Sequence, residues 1–590
     1  MTDPSGVTTY TYDPQTDRLT SKLMPFGTIS YTYDAAGNVT EISSSNQNGA
    51  AMGYQYDKLN RLSTVTVAGQ SPTSYGYDNV GNLSSTSYAN GVSSSYFYDS
   101  LNRLTSLGSQ SPLGAVASYV YSLGAAGNRT GVTELSGRTV SYGYDNLYRL
   151  TSETIANSTM NGTVGYTYDA VGNRKQIIST LAAIPASGLL TYDANDRTLT
   201  DTYDNDGNTV SQAGIANTYD FENHLTQHGY ITYVYDGDGN RVAKTIGGVT
   251  TSYLVDTLNP TGYAQVLDEL QSNAVTRSYT WGLQLISESQ LVAATPPASP
   301  WQTSWYGFDG HGSVRYLTSS AGAVTDTYDY DAFGNLINST GLTANNYLFA
   351  GEQFDPELGL YYNRARYLDV RAGRFWGMDA YEGDPNDPPS LHHYLYAYAD
   401  PVFLTDPSGM TPLTDFVSQL NTLMRRLGSA TSYTATRLGQ LANFAIEGDI
   451  MNKFGFLGGN LVLPEQTLPG VGRVDLIVNF GVYEIKPLGG TVDPGNQLTT
   501  YLGALGKRFF AGNIPFDDVV NKGLFMASLP VWVDLHYGLL IPGEIEYDYR
   551  ISWPVLLPIL AYGFARVTIA SYNYMLGVDF GVAAASPVPI

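Results

Sequence analysis

YTYDAAGNV at residues 31–39 returns nearly unchanged as YQYDKLNRL at 54–62, YGYDNVGNL at 75–83 and YTYDAVGNR at 166–174. The second Tyr of this element falls at Tyr12, Tyr33, Tyr56, Tyr77, Tyr98, Tyr121, Tyr144, Tyr168 and Tyr192. The intervals are 21, 23, 21, 21, 23, 23, 24 and 24 residues, and closer copies follow at Tyr203, Tyr219 and Tyr235. A fixed period in this range marks a repeat architecture. Within each copy the Y-x-Y alternation sets two aromatics on one face of a strand. Asp followed by x-x-Gly-Asn or x-x-Asn-Arg is turn chemistry. The carboxylate caps local backbone donors, and Gly or Asn accepts a positive φ. The next residues open a return strand, so each copy reads as a hairpin. One hairpin cannot bury its own face, so neighbouring copies are expected to stack into a long continuous sheet.

Composition agrees. The chain has 590 residues, 48 of them Tyr and 62 Gly, and only 14% are charged. Few Lys and Glu with much Tyr, Thr, Ser and Gly point to strands and turns rather than helix bundles. The length suggests several domains, or one large repetitive shell plus something else. The net charge of −23 excludes a chain that coats nucleic acid along its whole surface. The absence of Cys excludes a disulfide scaffold, a zinc finger, an iron–sulfur site and a thiol nucleophile. The six His show no metal-ligand spacing, His392 and His393 included. The opening MTDPSGVTTYTYD lacks a basic start and apolar core, so no signal peptide is read there. The most apolar stretch, Val555 to Ala565, is about half of a membrane span, and no stable membrane insertion is expected.

More than ten copies recur in register, and they resemble the YD-repeat, or Rhs, family over roughly residues 1–410. The resemblance implies a mainly β fold: a hollow shell over residues 1–345 that encloses a C-terminal effector. The residues alone leave open a solid β-solenoid or an adhesive, carbohydrate-binding surface. The stretches 306–336, 347–379 and 392–410 resemble the Rhs-associated core, here assigned residues 346–410, which closes such a shell. In that family the core ends in a DPxG-Leu sequence, after which the chain cuts itself. Here the ending is Asp406-Pro407-Ser408-Gly409-Met410, with Met410 in place of Leu. Arg366, Asp379 and Asp406 match the family's self-cleavage set. Two carboxylates near one peptide bond can share a proton, one activating water and the other donating to the carbonyl. A nearby Arg holds a carboxylate charged or stabilises the oxyanion. The stretch EGDPNDPPS (382–390) reads as an inserted loop between the two Asp residues. Both carboxylates also read simply as turn caps.

The Tyr-Asp pattern stops at Met410, and residues 411–590 read as a different domain. They carry 11 Lys and Arg against 14 Asp and Glu, whereas the preceding residues carry 19 against 39. Helices are expected over residues 412–446, one of them near 432–453, and VLLPILAYGFARVTIASY (555–572) reads as a buried helix or a translocation aid. GRVDLIVNFGVYEIKPLGG (472–490) reads as a hairpin. If its loop is Asn479-Phe480, Asp475 faces Glu484, with Cβ atoms about 4.5–5.5 Å apart. Like charges so placed are unfavourable unless a divalent cation lies between them. Two carboxylates, a main-chain carbonyl and waters suit Mg²⁺. Glu484 and Lys486 project from one strand face.

Asp475 followed by Glu484-x-Lys486 resembles the core of the PD-(D/E)xK nuclease superfamily. Gln497 fits the frequent Gln of the next helix, and Glu447 fits the acidic residue of the preceding helix. The resemblance implies an α/β domain that hydrolyses phosphodiesters, with Mg²⁺ or another divalent cation on Asp475 and Glu484. Its implied substrate is nucleic acid, with DNA favoured over RNA. The near-neutral balance of the domain argues against a broad phosphate-binding face. The whole then reads as a toxin released by self-cleavage after Met410 and secreted without a signal peptide by a dedicated system. Its effector acts in the target-cell cytoplasm. A cognate immunity protein and a secretion-apparatus or adaptor protein are its implied partners. Rival readings are an adhesin with a packing tail and a tail of different chemistry, such as a protein-modifying transferase. The chain opens inside the repeats, which reads as a fragment or as a short form that uses a separate adaptor.

Overall fold

The computed structural model describes residues 1–292, 299–381, 383 and 388–410 in full. Beyond them it describes the backbone of strands within 462–487, 510–511, 524–527, 533–551 and 567–569. The chain divides into two compact units. One is Met1–Pro14 with Leu19–Thr422, and the other is Leu423–Ile590 with Gln15–Arg18.

The first unit is built almost wholly from antiparallel neighbours in sequence order. A 16-stranded sheet runs from Thr9–Tyr12 to Arg174–Ser179, and a 14-stranded sheet from Thr202–Tyr203 to Leu336–Thr340. A four-stranded sheet follows: Gln353–Asp355, Leu360–Asn363, Arg366–Asp369 and Arg374–Phe375.

One copy shows why these residues form these strands. Asp57 Oδ1 accepts the N–H groups of Leu59 (2.8 Å) and Arg61 (3.0 Å), while Oδ2 takes Arg61 Nε at 2.7 Å. The main chain closes the same turn, Asp57 N–H to Arg61 O and Asn60 N–H to Asp57 O. The residue three after the Asp has positive φ: Gly37 at 95°, Asn60 at 58°, Gly81 at 100°, Asn102 at 59°. The Gly-Asn and Asn-Arg variants are therefore one turn. Its third residue must tolerate a left-handed backbone, and its fourth must reach back to the Asp.

The second Tyr links each copy to the one before. Its hydroxyl donates to the carbonyl that opens the previous return strand. The pairs are Tyr33 to Leu19 (2.7 Å), Tyr56 to Val39 (2.8 Å), Tyr77 to Leu62 (2.8 Å), Tyr98 to Leu83 (2.9 Å) and Tyr168 to Leu150 (2.7 Å). The pairing slips by one residue at each of these tyrosines, for instance between Thr32 and Tyr33 and between Gln55 and Tyr56. Such a bulge bends and twists its strand. It also separates the two tyrosines of a copy: Tyr31, Tyr54 and Tyr166 are buried, whereas Tyr33, Tyr56 and Tyr168 are half-buried.

One repeat assignment changes. Tyr121 does not occupy the second Tyr position, because the slip there lies between Ser122 and Leu123. Gly124 takes the place of Asp, with its N–H on Asn128 O, and Leu123 that of the tyrosine. Leucine has no hydroxyl to donate, and the Tyr121 hydroxyl instead accepts the Gly310 N–H at 2.6 Å.

The two large sheets meet through matched contacts about 225 residues apart. Tyr31 donates to Asp256 at 2.7 Å, Ala50 N–H to Asp268 Oδ1 at 2.8 Å, Tyr54 to Trp281 O at 3.1 Å and Asn90 to Thr318 at 2.9 Å. One core cluster joins Ile29, Ile42 and Leu62 of the first sheet to Leu254, Leu267 and Leu317 of the second, and to Tyr361, Phe375 and Tyr396 of the closing segment.

In the second unit a mixed sheet runs in the order Val462–Leu468, Gly472–Val478, Gly481–Pro487, Glu544–Ile551, Val533–Ile541, Leu524–Ala527 and Val567–Ile569. Gly481–Pro487 is parallel to Glu544–Ile551 and to Phe510–Ala511. The helices expected over 412–446 lie outside the described residues, and the helix expected over 555–572 is corrected at its described part, because Val567–Ile569 is a strand paired with Leu524–Ala527. Among the described residues no helix is long and apolar enough to cross a membrane.

Removing the Tyr168 hydroxyl leaves the carbonyl beside fully buried Leu150 without its donor. Tyr168→Phe is expected to cost about 1 kcal/mol, read as a lower urea midpoint of the first unit. Tyr230→Phe, at a ring 74% exposed, is expected to stay within about 0.5 kcal/mol of the parent.

Candidate functional site

The strands Leu360–Asn363 and Arg366–Asp369 pair with Asn363 opposite Arg366, so Arg364 and Ala365 form the turn between them. Arg364 adopts φ 59° to make it. This turn receives the segment 406–410. Asn363 Nδ2 donates to Asp406 O at 2.7 Å, the Arg364 guanidinium to Pro407 O, Ala365 N–H to Ser408 O at 3.2 Å, and Arg366 Nε to Gly409 O. Four consecutive residues thus hold four consecutive carbonyls. Gly409 has φ 72°, and a Cβ there would lie 2.2 Å from the Asn363 carbonyl oxygen, so only glycine fits.

Arg366 lies at the centre. Its guanidinium stacks over the Phe375 ring, 3.8 Å from Cζ to the centroid, and donates to His393 O at 2.9 Å. Its Nη2 is 2.8 Å from Asp379 Oδ2 and 3.6 Å from Asp406 Oδ2. The three residues selected from sequence therefore converge on one guanidinium, and the insertion at 382–390 does not separate the two carboxylates. Met410, the residue before the expected cut, is anchored by its N–H on Asp406 Oδ1 at 3.1 Å.

Both Asp residues also cap turns. Asp379 Oδ1 accepts the Tyr381 N–H at 3.0 Å. Asp406 Oδ1 accepts the Ser408 hydroxyl at 3.0 Å, and Gly409 N–H reaches Asp406 O, which repeats the Asp turn of the shell. The second oxygen distinguishes Asp406, because Oδ2 is buried and accepts no hydrogen bond among the described residues. Complete burial pushes the Asp406 carboxyl up. Arg366 opposes that push, and the charge of Asp379 adds to it.

Sequence reasoning missed Asn363, Arg364 and Glu352. Glu352 is buried, pairs with Arg364 at 2.8 Å, and is pushed by burial up to about 7, with Asp406 adding to the rise. The signal available was the run Asn363-Arg364-Ala365-Arg366, a tight polar turn between apolar strands.

In the second unit only the backbone positions of the expected residues are described. Asp475 lies on Gly472–Val478, and Glu484 and Lys486 lie on Gly481–Pro487. The hairpin register pairs Leu476 with Tyr483, Ile477 with Val482 and Val478 with Gly481. Asp475 and Glu484 stand one step beyond the Leu476–Tyr483 pair. On its other edge the strand sets Glu484 beside Glu544 and Lys486 beside Glu546, two acidic positions that the sequence reading did not select. Gln497 and Glu447 lie outside the described residues. Among the described residues with side chains, no group of three or more His, Asp or Glu is arranged to hold a metal.

Residues 7–127 match the Teneurin YD-shell family model. The chain is 34% identical over 280 residues to the tRNA3(Ser)-specific nuclease WapA of Bacillus spizizenii. It is 32% identical over 283 residues to the tRNA nuclease WapA of Bacillus subtilis. Each match takes in 44% of this chain and 11% of the relative, so the chain spans a small part of the length of either. The crystal structure of TcdB2-TccC3 superposes with a TM-score of 0.58 at 20% identity, covering 69% of this chain and 24% of that one. At that identity the likeness concerns the fold.

Gly409→Ala is expected to dislodge the segment 406–410 from the 363–366 turn. The measurement is amide exchange: faster exchange at Gly409 and Met410, with the strands of the large sheets unchanged.

Proposed function

We propose that this chain is a toxin of the YD-shell type, in which a β-shell carries a C-terminal effector and frees it by cutting its own backbone after Met410. The observation that carries the first half is the shared guanidinium of Arg366, which gathers Asp379 and Asp406 at the segment that ends in Met410. The cut is a hydrolysis. Asp379, which has the shorter ion pair with Arg366, takes a proton from water as the water oxygen bonds to the Met410 carbonyl carbon. Asp406, whose carboxyl burial pushes towards the protonated form, donates to the carbonyl oxygen. Collapse breaks the bond between Met410 C and Thr411 N. The amine leaves with a proton, and Met410 keeps a carboxylate.

The effector is a nuclease of the PD-(D/E)xK type. The support is the two tRNA nuclease relatives and the Asp475, Glu484-x-Lys486 pattern on adjacent strands of a mixed sheet. Carboxylates at Asp475 and Glu484, with Glu544 in register beside Glu484, fit the oxygen chemistry of a hard divalent cation. When bound, the cation supplies charge neutralisation at the scissile phosphate and a more acidic water. Lys486 orients the phosphate or that water, and Gln497 and Glu447 support the site. The sequence reading favours DNA, whereas the named relatives act on tRNA, so the assay offers both. The acidic first unit repels free nucleic acid, which keeps the producer's own from the effector before release. An immunity protein, a secretion or adaptor protein, export without a signal peptide and action in the target-cell cytoplasm complete this reading.

Two measurements test it. The full chain is expected to resolve on a denaturing gel into residues 1–410 and a tail beginning at Thr411, and Arg366→Ala, Asp379→Asn and Asp406→Asn are each expected to leave one band. Because Asp406 must be protonated, cleavage is expected to slow as pH rises through its raised pKa. A single uncut band for the parent at every pH would remove the self-cleavage half. For the effector, plasmid DNA and tRNA are incubated with the cleaved protein and Mg²⁺. Loss of either substrate, abolished by Glu484→Ala, by Lys486→Ala and by chelation, is the expected result. Both substrates surviving intact would exclude the nuclease.

A further inference from the structure

The cluster around the 363–366 turn contains an ion pair that the cleavage chemistry does not use. Arg364 touches three parts of the first unit. Its Nε donates to Ala264 O at 3.1 Å, beside the second large sheet, and its guanidinium lies 5.0 Å from the Tyr263 ring centroid. Its Nη1 binds Glu352 Oε2 at 2.8 Å and donates to the Pro407 carbonyl. Glu352 is buried and held by its main chain, with its N–H on Phe349 O at 3.0 Å and its carbonyl accepting the Leu348 N–H at 3.1 Å. A left-handed non-glycine backbone, here φ 59° at Arg364, is kept only where the surroundings demand it.

Asn363 and Ala365 hold Asp406 O and Ser408 O from the turn itself. Among the described residues, Arg364 alone joins that turn, the 406–410 segment, the Glu352 carboxylate and the Ala264 carbonyl. We propose that Arg364, oriented by Glu352, is the positioning residue for self-cleavage: it holds the Pro407 carbonyl so that the Met410 peptide stays in line with Asp379 and Asp406. It takes no proton and touches no reacting atom. Misplacement of a reacting bond by about 1 Å can cost on the order of a hundredfold in rate. A guanidinium meets a carboxylate and a carbonyl at once in a fixed plane, which a neutral side chain cannot reproduce. The inference rests on the self-cleavage reading above.

The test uses the full chain made in a cell-free system, chased and followed on denaturing gels at several pH values. The variants are Arg364→Ala, Arg364→Lys, Glu352→Gln and Asp379→Asn, and resistance of the first unit to limited trypsin reports folding. The parent is expected to cut and Asp379→Asn to stay whole. Arg364→Ala is expected to cut at least about tenfold more slowly across the pH range. Arg364→Lys keeps one donor for Glu352 and Pro407 O but loses the Nε contact with Ala264, and is expected to cut at a rate between those of Arg364→Ala and the parent. Glu352→Gln, of equal size, is expected to be slow as well. Arg364→Ala cutting at the parental rate would overturn the proposal. Should Arg364→Ala lose its trypsin resistance, Glu352→Gln decides: slow cleavage in a resistant protein supports the proposal, and parental cleavage overturns it. A parent that never cuts defeats the self-cleavage reading itself, a different result from a parent that cuts with Arg364 irrelevant.

Discussion

The carboxylate of the Tyr-Asp turn is the interaction on which the first unit depends. One oxygen takes two main-chain donors and the other takes the side chain four residues on, as Asp57 does with Leu59 and Arg61. That ties each turn to a single geometry. The preceding tyrosine then bonds to the return strand of the copy before, which couples neighbouring copies wherever that tyrosine is present. The slip in pairing at that tyrosine bends each strand pair at the same place. Repetition of one local rule therefore builds two long sheets without any unusual long-range instruction. The same rule reappears at Asp406, Ser408 and Gly409.

Where the closing segment meets the second large sheet, paired charges supplement apolar packing. Arg241 lies 3.2 Å from Asp355, and Lys244 lies 2.6 Å from the same carboxylate. All three are buried. Buried charges are costly to desolvate, and loss of one partner costs more than the pair gains. Such contacts specify where the segment seats more than they stabilise it. Two carboxylates share Arg366, as Asp355 and Glu357 share Lys244, but at Arg366 one oxygen of Asp406 finds no hydrogen bond among the described residues. A buried acid left partly unsatisfied beside another acid is an arrangement suited to proton transfer.

Much of this was legible from sequence. The repeat, its hairpins and the positive-φ position follow from Asp, Gly and Asn at fixed offsets, because turn chemistry is local. Arg366, Asp379 and Asp406 were legible through family resemblance and not through spacing. Tyr121 was misassigned because two extra residues before Gly124 shift the frame, and a tyrosine pair looks the same in either frame. Glu352 was invisible, and the polar run 363–366 marks a turn at Arg364 without marking its ion pair. Nothing near them in sequence marks a buried ion pair, and their partner at Pro407 lies 43 residues from Arg364.

By itself the sequence determined the local units: strand, Asp-capped turn, return strand, and a hairpin of two-residue loop around 479–480. Each is settled by groups within a few residues of one another, so composition and spacing suffice. Only the tertiary structure decided which carboxylates share a guanidinium, which copy lies opposite which some 225 residues away, and which turn grips residues 406–409. Those depend on burial and on the meeting of distant backbone carbonyls with side-chain donors, and no local pattern encodes the distance between them.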